Sequence, residues 1–166
     1  MAQRALGAAN PSPMVPLERL QLPPGLDGRA GRFRAPAELC TLQASNDLMA
    51  VREWLNAHAS PHTRRAYQRE AERLLLWCVL ELGRPMSSLT VADCQRYREF
   101  LKDPQPAERW CGPRGTPRWS HAWRPFEGPL TAAAERHALV VLKACGAWLV
   151  QQHYGCSSYC TTFACH

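Results

Sequence analysis

Apolar residues recur at helical spacing in four stretches of this chain, and proline and glycine interrupt any period between them. The strongest stretch is 60–83, SPHTRRAYQREAERLLLWCVLELG. At about 100° per residue, Tyr67, Ala71, Leu74, Leu75, Cys78 and Leu82 fall on one face, with Arg65, Arg69 and Arg73 on the other. Apolar residues surround the axis from Leu74 to Leu82, so that half is expected to be buried while the basic first half protrudes. Both ends are marked. Ser60 is a capping hydroxyl, Pro61 sits where its missing N–H costs nothing, and Gly83 suits the left-handed turn that closes a helix.

The other three helices are shorter or less two-sided. In 45–59, SNDLMAVREWLNAHA, a capping Ser or Asn precedes Leu48, Val51 and Leu55, with Trp54 beside them. Almost nothing separates this helix from the next, so the two must meet at a sharp angle. In TVADCQRYREFLKD, Thr90 and Asp93 have the spacing of a capping box, Val91, Cys94, Tyr97 and Leu101 face inward, and Pro104 ends the helix. The last helix starts at Thr131, carries Leu139, Leu142, Cys145 and Leu149 at core spacing, and has Gly155 placed to end it. Arg136 and Lys143, seven apart, share another of its faces.

The segments between helices differ in kind. Residues 1–44 hold Pro11, Pro13, Pro16, Pro23, Pro24 and Pro36 with Gly25, Gly28 and Gly31, which forbids a long helix and predicts an extended, disordered arm ahead of a helical domain over 45–155. Arg29, Arg32 and Arg34 in that arm are read either as phosphate contacts or as a solvated linker. Residues 103–129 combine six prolines, three tryptophans and four arginines: too many prolines for a helix, too many aromatics for a disordered linker. An ordered, functional loop is expected there. Residues 156–166, CSSYCTTFACH, show neither period and read as an irregular tail.

Composition adds a core and a charge. With 46% apolar residues in 166 the chain can bury a genuine core, and twenty Lys and Arg against fourteen Asp and Glu leave +6, which favours a polyanionic partner. Lysine occurs only at 102 and 143; the remaining cations are arginines, suited to bidentate contacts with phosphate and guanine. No signal peptide and no run of membrane-spanning length is visible, so a soluble cytoplasmic protein with reduced thiols is expected. Cys156, Cys160, Cys165 and His166 are the right ligand types for zinc at a spacing that fits no usual finger, so no metal or other cofactor is expected.

The second helix begins Ser-x-x-Thr-Arg-x-x-Tyr at Ser60, Thr63, Arg64 and Tyr67, with NDLMAVREWL before it and SSLTVADCQRYREFL, WRPFEGPL and ALVVLKACGAWLV after it. This order over about residues 27–154 resembles the amino-terminal core-binding domain of tyrosine recombinases, the phage integrase family. The resemblance implies an all-α, four-helix, SAM-like core-binding domain that closes as one jaw on double-stranded DNA, second and fourth helices facing the duplex. Other recombinase protomers are the further partners it implies, with no membrane and no small-molecule substrate. The family's catalysis resides in a larger carboxy-terminal domain, where a Tyr attacks the scissile phosphate beside Arg, Lys and His. That domain is expected to be missing from a truncated or frameshifted product, so no enzyme activity is expected. Two His-x-x-Arg matches, His62 to Arg65 and His121 to Arg124, lack the downstream Tyr, and no catalytic residue is carried over.

Under the resemblance, Arg64, Arg65 and Arg69 are expected to contact phosphates, and Thr63 to donate to one from the first turn, where free N–H groups and the helix dipole also favour an anion. The plainer roles are a solvated face, suggested by Glu72 beside the arginines, and a local cap. Lys143 and Arg136 are placed against DNA from the last helix. Arg118, Trp119 and Arg124 enter a groove or stack on a base, unless the tryptophans simply cover the bundle. The alternative is a helical protein–protein interaction module, which needs an exposed apolar groove and no DNA.

Overall fold

Each predicted helix begins at a side chain that caps it. The computed structural model describes residues 14–157 and 159. Among them, α1 runs Asp47–Asn56, α2 Pro61–Trp77, α3 Val91–Lys102, α4, a single turn, Ala107–Trp110, and α5 Ala132–Gln151. Asn46 Oδ1 accepts from the Met49 N–H, Ser60 Oγ from Thr63 and Thr131 Oγ1 from Ala134, while Thr90 and Asp93 form the reciprocal capping box. The end of α2 widens into a π-helical turn, Cys78–Leu82, closed by Gly83 at φ 71°. No strand forms among the described residues, only isolated bridges at Arg34–Gly155 and Cys111–Phe126. The chain is therefore all-α there, and no described helix is long and apolar enough to cross a membrane.

The core sits where α2 passes between its neighbours. Leu74, Leu75, Leu76 and Trp77 are buried with Trp54 and Leu55 of α1, Tyr97 and Leu101 of α3, and Ala138, Leu142 and Leu149 of α5. Each such aliphatic side chain contributes about 1.5–3 kcal/mol on leaving water. The loop over 103–129 is ordered, as its aromatics suggested. Trp110, Trp123 and Phe126 are buried, the Trp110 indole N–H donates to Glu81 Oε1 at 2.8 Å, and Leu130 N–H reaches the Leu101 carbonyl at 3.0 Å.

The amino-terminal arm departs from expectation. Residues 14–44 are packed, not disordered: Leu17 and Leu20 are each 3% exposed and belong to the core. Prolines forbid a long helix here but leave three 3₁₀ turns, of which the first, Leu17–Arg19, buries Leu17, while Val15, Leu20, Leu22 and Phe33 pack from the segments around them. The folded unit accordingly begins before residue 45. Backbone bonds tie the arm to both ends of the helical region, from Asp47 N–H to the Asp27 carbonyl at 2.8 Å and from Ala35 N–H to the Tyr154 carbonyl at 3.0 Å. Their centre is the buried Asp47 carboxylate, which accepts from the Ser87 N–H and hydroxyl and from the Tyr154 phenol. Gly28, at φ 79°, lies against it; a Cβ there would fall 2.1 Å from Asp47 Cγ, so no side chain fits.

The carboxy-terminal end also differs. Helix α5 stops at Gln151, and His153, at φ 55°, takes the left-handed position expected of Gly155, because Tyr154 must turn inward to reach Asp47. Tyr159 is buried and donates to the Met86 carbonyl at 2.9 Å, so the start of the expected tail packs against the domain. Cys160, Cys165 and His166 lie outside the described residues, within which no group of three or more metal-ligating side chains forms.

Candidate nucleic-acid interface

The two halves of α2 treat charge differently. In the first, Arg65 and Arg69 are exposed, Thr63 and Arg64 half-buried. Thr63 is engaged in the cap through its N–H. In the second, Glu70, Glu72 and Arg73 are buried, which corrects the reading of Glu72 as a mark of a solvated face. Arg73 donates from Nε to the Pro125 carbonyl at 2.9 Å, pairs with Glu70 at 3.3 Å and lies 4.4 Å over the Phe126 ring. It braces the loop and, though it borders the groove between α2 and the loop, is almost wholly buried.

A groove of about 720 Å³ opens between the first half of α2, the loop and the start of α5; Arg65, Arg69, Arg114, Arg118, Arg124 and His137 line it. Most of its cations are occupied. Arg118 donates to Glu18 at 2.8 Å and to Glu72, Arg114 pairs with Glu127 at 3.2 Å, and Arg69 approaches Glu70 at 3.5 Å. Arg124 is spent on three carbonyls, those of Glu108, His121 and Trp123, which fold the loop around it. The carboxylates respond in opposite directions. Burial drives the Glu72 carboxyl above its ordinary range against the pull of the Leu17 N–H and Arg118. Partial burial of Glu18 works the same way, but hydrogen bonds from Arg118 and Gln68 outweigh it and hold that carboxyl below its ordinary range.

Of the residues the sequence singled out, Arg65, Arg69, Arg118 and Arg124 meet in this groove. Trp119 is outside its lining, 52% exposed, with the Arg19 guanidinium 4.5 Å over its ring. Arg136 and Lys143 are exposed on the outer face of α5, on either side of Val140, and do not line the groove either; from α5 it is lined by Ala134 and His137. No protein-family model, curated protein or solved structure matches this chain.

A smaller groove of about 400 Å³ lies on the other side of Glu18, between the turn Leu17–Arg19, the end of α1 and the start of α2. Arg52, Arg64 and Arg65 line it. Arg52 escaped the sequence reading because one exposed cation on a short helix carries no periodic signal; only the angle between α1 and α2 brings it to the others.

The described tyrosines are buried or packed against other rings. Tyr97, Tyr154 and Tyr159 are buried, and burial pushes each phenol well above its ordinary value. Tyr67 stacks on Trp54 at 5.3 Å between centroids, with His58 edge-on at 4.9 Å.

Proposed function

We propose that this chain binds double-stranded DNA as the core-binding half of a tyrosine-type recombinase and performs no strand cleavage with the residues described. The observation that carries the reading is the first half of α2, which is less buried than the second, with Arg65 and Arg69 exposed and a cation-lined groove on each side. Helix order and the Ser60, Thr63, Arg64, Tyr67 pattern support the family assignment. The interaction-module reading asks for an apolar groove without a basic lining, whereas arginines line the larger groove and stand beside Leu17, Leu55 and Pro61 in the smaller one.

The test is duplex binding by fluorescence anisotropy across a salt series. Affinity is expected to be largely independent of sequence and to fall steeply with salt, each neutralised phosphate adding about 0.9 to the log–log slope. Salt-insensitive binding, or none, removes the proposal. On a suicide substrate nicked beside the cleavage site, no covalent adduct is expected; an adduct abolished by Tyr154→Phe or Tyr159→Phe would show that the chain cleaves after all.

A further inference from the structure

The smaller groove brings together three arginines that have no carboxylate partner among the described residues. Among the described residues, Arg29, Arg69, Arg73, Arg84, Arg98, Arg109, Arg114 and Arg118 each have a carboxylate within ion-pair distance. Arg52, Arg64 and Arg65, which share one opening, have none there. Their bonds to the chain are few and long: Arg52 to the Leu17 carbonyl at 3.3 Å and Arg64 to the Ala59 carbonyl at 3.4 Å. Arg64 Nε is buried without an acceptor. A guanidinium carries five N–H donors, so most donors of this trio are unspent.

The setting favours an anion from outside. Glu18 is the one carboxylate in the lining, and Gln68 and Arg118 hold both its oxygens. Leu17, Leu55 and Pro61 supply apolar wall, which lowers the local dielectric and strengthens a charge-assisted bond made there. Three guanidinium forks offer more donors than the two oxygens of one carboxylate can use. A phosphate group has the oxygens to serve them and the charge to neutralise them.

We infer that this groove is a phosphate-binding site formed by Arg52, Arg64 and Arg65. It deepens the DNA reading if the phosphate is a backbone phosphodiester, and then extends the contact surface from α2 onto α1. The same chemistry accepts a free phosphate.

The experiment follows the arginine Nε–H resonances of the ¹⁵N-labelled full chain. Inorganic phosphate replaces chloride at constant ionic strength, and a short duplex is titrated separately and in competition. Phosphate is expected to shift Arg52, Arg64 and Arg65 saturably and to leave Arg96, exposed on α3, unmoved. Arg52→Gln, an exposed change that spares the core, is expected to weaken phosphate binding about tenfold, the worth of one charge-assisted hydrogen bond. Displacement of phosphate by duplex identifies the backbone as the source. If phosphate binds and duplex does not bind at all, the site stands and the DNA reading falls. If duplex binds without moving these resonances and phosphate gives no saturable shift, the site falls and the DNA reading stands. Silence with both ligands overturns both.

Discussion

Glu18 divides two grooves that share arginine-rich walls and differ in what holds those arginines. On the larger side, carboxylates from the loop, the arm and α2 pair with Arg114 and Arg118, while the exposed Arg69 only approaches Glu70. On the smaller side Arg52 and Arg64 meet no carboxylate, and Arg65, which lines both grooves, has none either. The first set organises the fold. A pair as enclosed as Glu72 with Arg118 recovers in mutual attraction roughly what it loses in hydration, so its value lies in joining arm, helix and loop. The second set makes only two long bonds to backbone carbonyls and keeps most of its donors available to a ligand. A net charge of +6 cannot distinguish the two, because it sums cations without asking which are already paired.

Breaking the paired side should be costly. Removing residues 1–20 takes Leu17 and Leu20 from the core and strips Glu72 of the Leu17 N–H and Arg118 of Glu18. The two leucines alone are worth about 3–6 kcal/mol, so urea unfolding is expected to move to a much lower midpoint or lose its cooperativity. A disordered arm would tolerate this deletion, so an unchanged midpoint would return the arm to that status. Next comes Arg118→Ala, expected to cost about 3 kcal/mol because it leaves the buried Glu72 without its cation. Arg65→Ala is expected to stay within about 0.5 kcal/mol. Equal losses from the two substitutions would erase the distinction between the grooves.

Stability against pH sharpens the same contrast. The folded-state value of Glu72 lies above its ordinary 4.5, so the native state holds that proton more firmly than the unfolded chain does. The contribution is fully present below the ordinary value and is lost as pH rises through the folded value. Relative to Glu72→Gln, the wild type should therefore lose stability as pH climbs above about 4.5, measured as urea midpoints. A parallel course for the two proteins would mean that Arg118 fully offsets the burial of Glu72.

The smallest effects belong to the exposed side and concern binding alone. Replacing Arg65 and Arg69 together by alanine should leave the fold intact and make the log–log salt slope of duplex binding shallower by about 1 to 2. Arg32 and Arg96, exposed and outside both grooves, are the matched control, with a change in slope near zero. Arg73 and Arg84 do not serve for this, since one is buried and the other pairs with the capping-box Asp93. If the two double variants weaken binding alike, only bulk charge matters.

What could be read directly from the sequence was short-range. The caps at Ser60, Thr90 and Thr131, the left-handed Gly83, the burial of Leu74–Cys78 and the order of the aromatic loop depend on residues within a few positions or on local composition, although the burial expected to run on to Leu82 leaves Val79, Leu80 and Leu82 half-buried. The basic first half of α2 was legible for the same reason, since its exposure follows from where the apolar period starts. Fates set by distant partners were hidden. Proline density predicted a non-helical arm correctly and its packing incorrectly, because propensity says how a segment bends and not what it lies against. Arg73 and Arg69 look alike along the helix, yet one is buried under Phe126 and the other is 56% exposed. Arg118 and Glu18 stand 100 positions apart, and Arg52 reaches Arg64 and Arg65 only across the angle between two helices. Helix formation is decided by neighbours within a turn or two, so sequence alone determined the elements. Ion pairing and desolvation act through space, so only the tertiary structure decided which arginines hold the protein together and which remain free to bind.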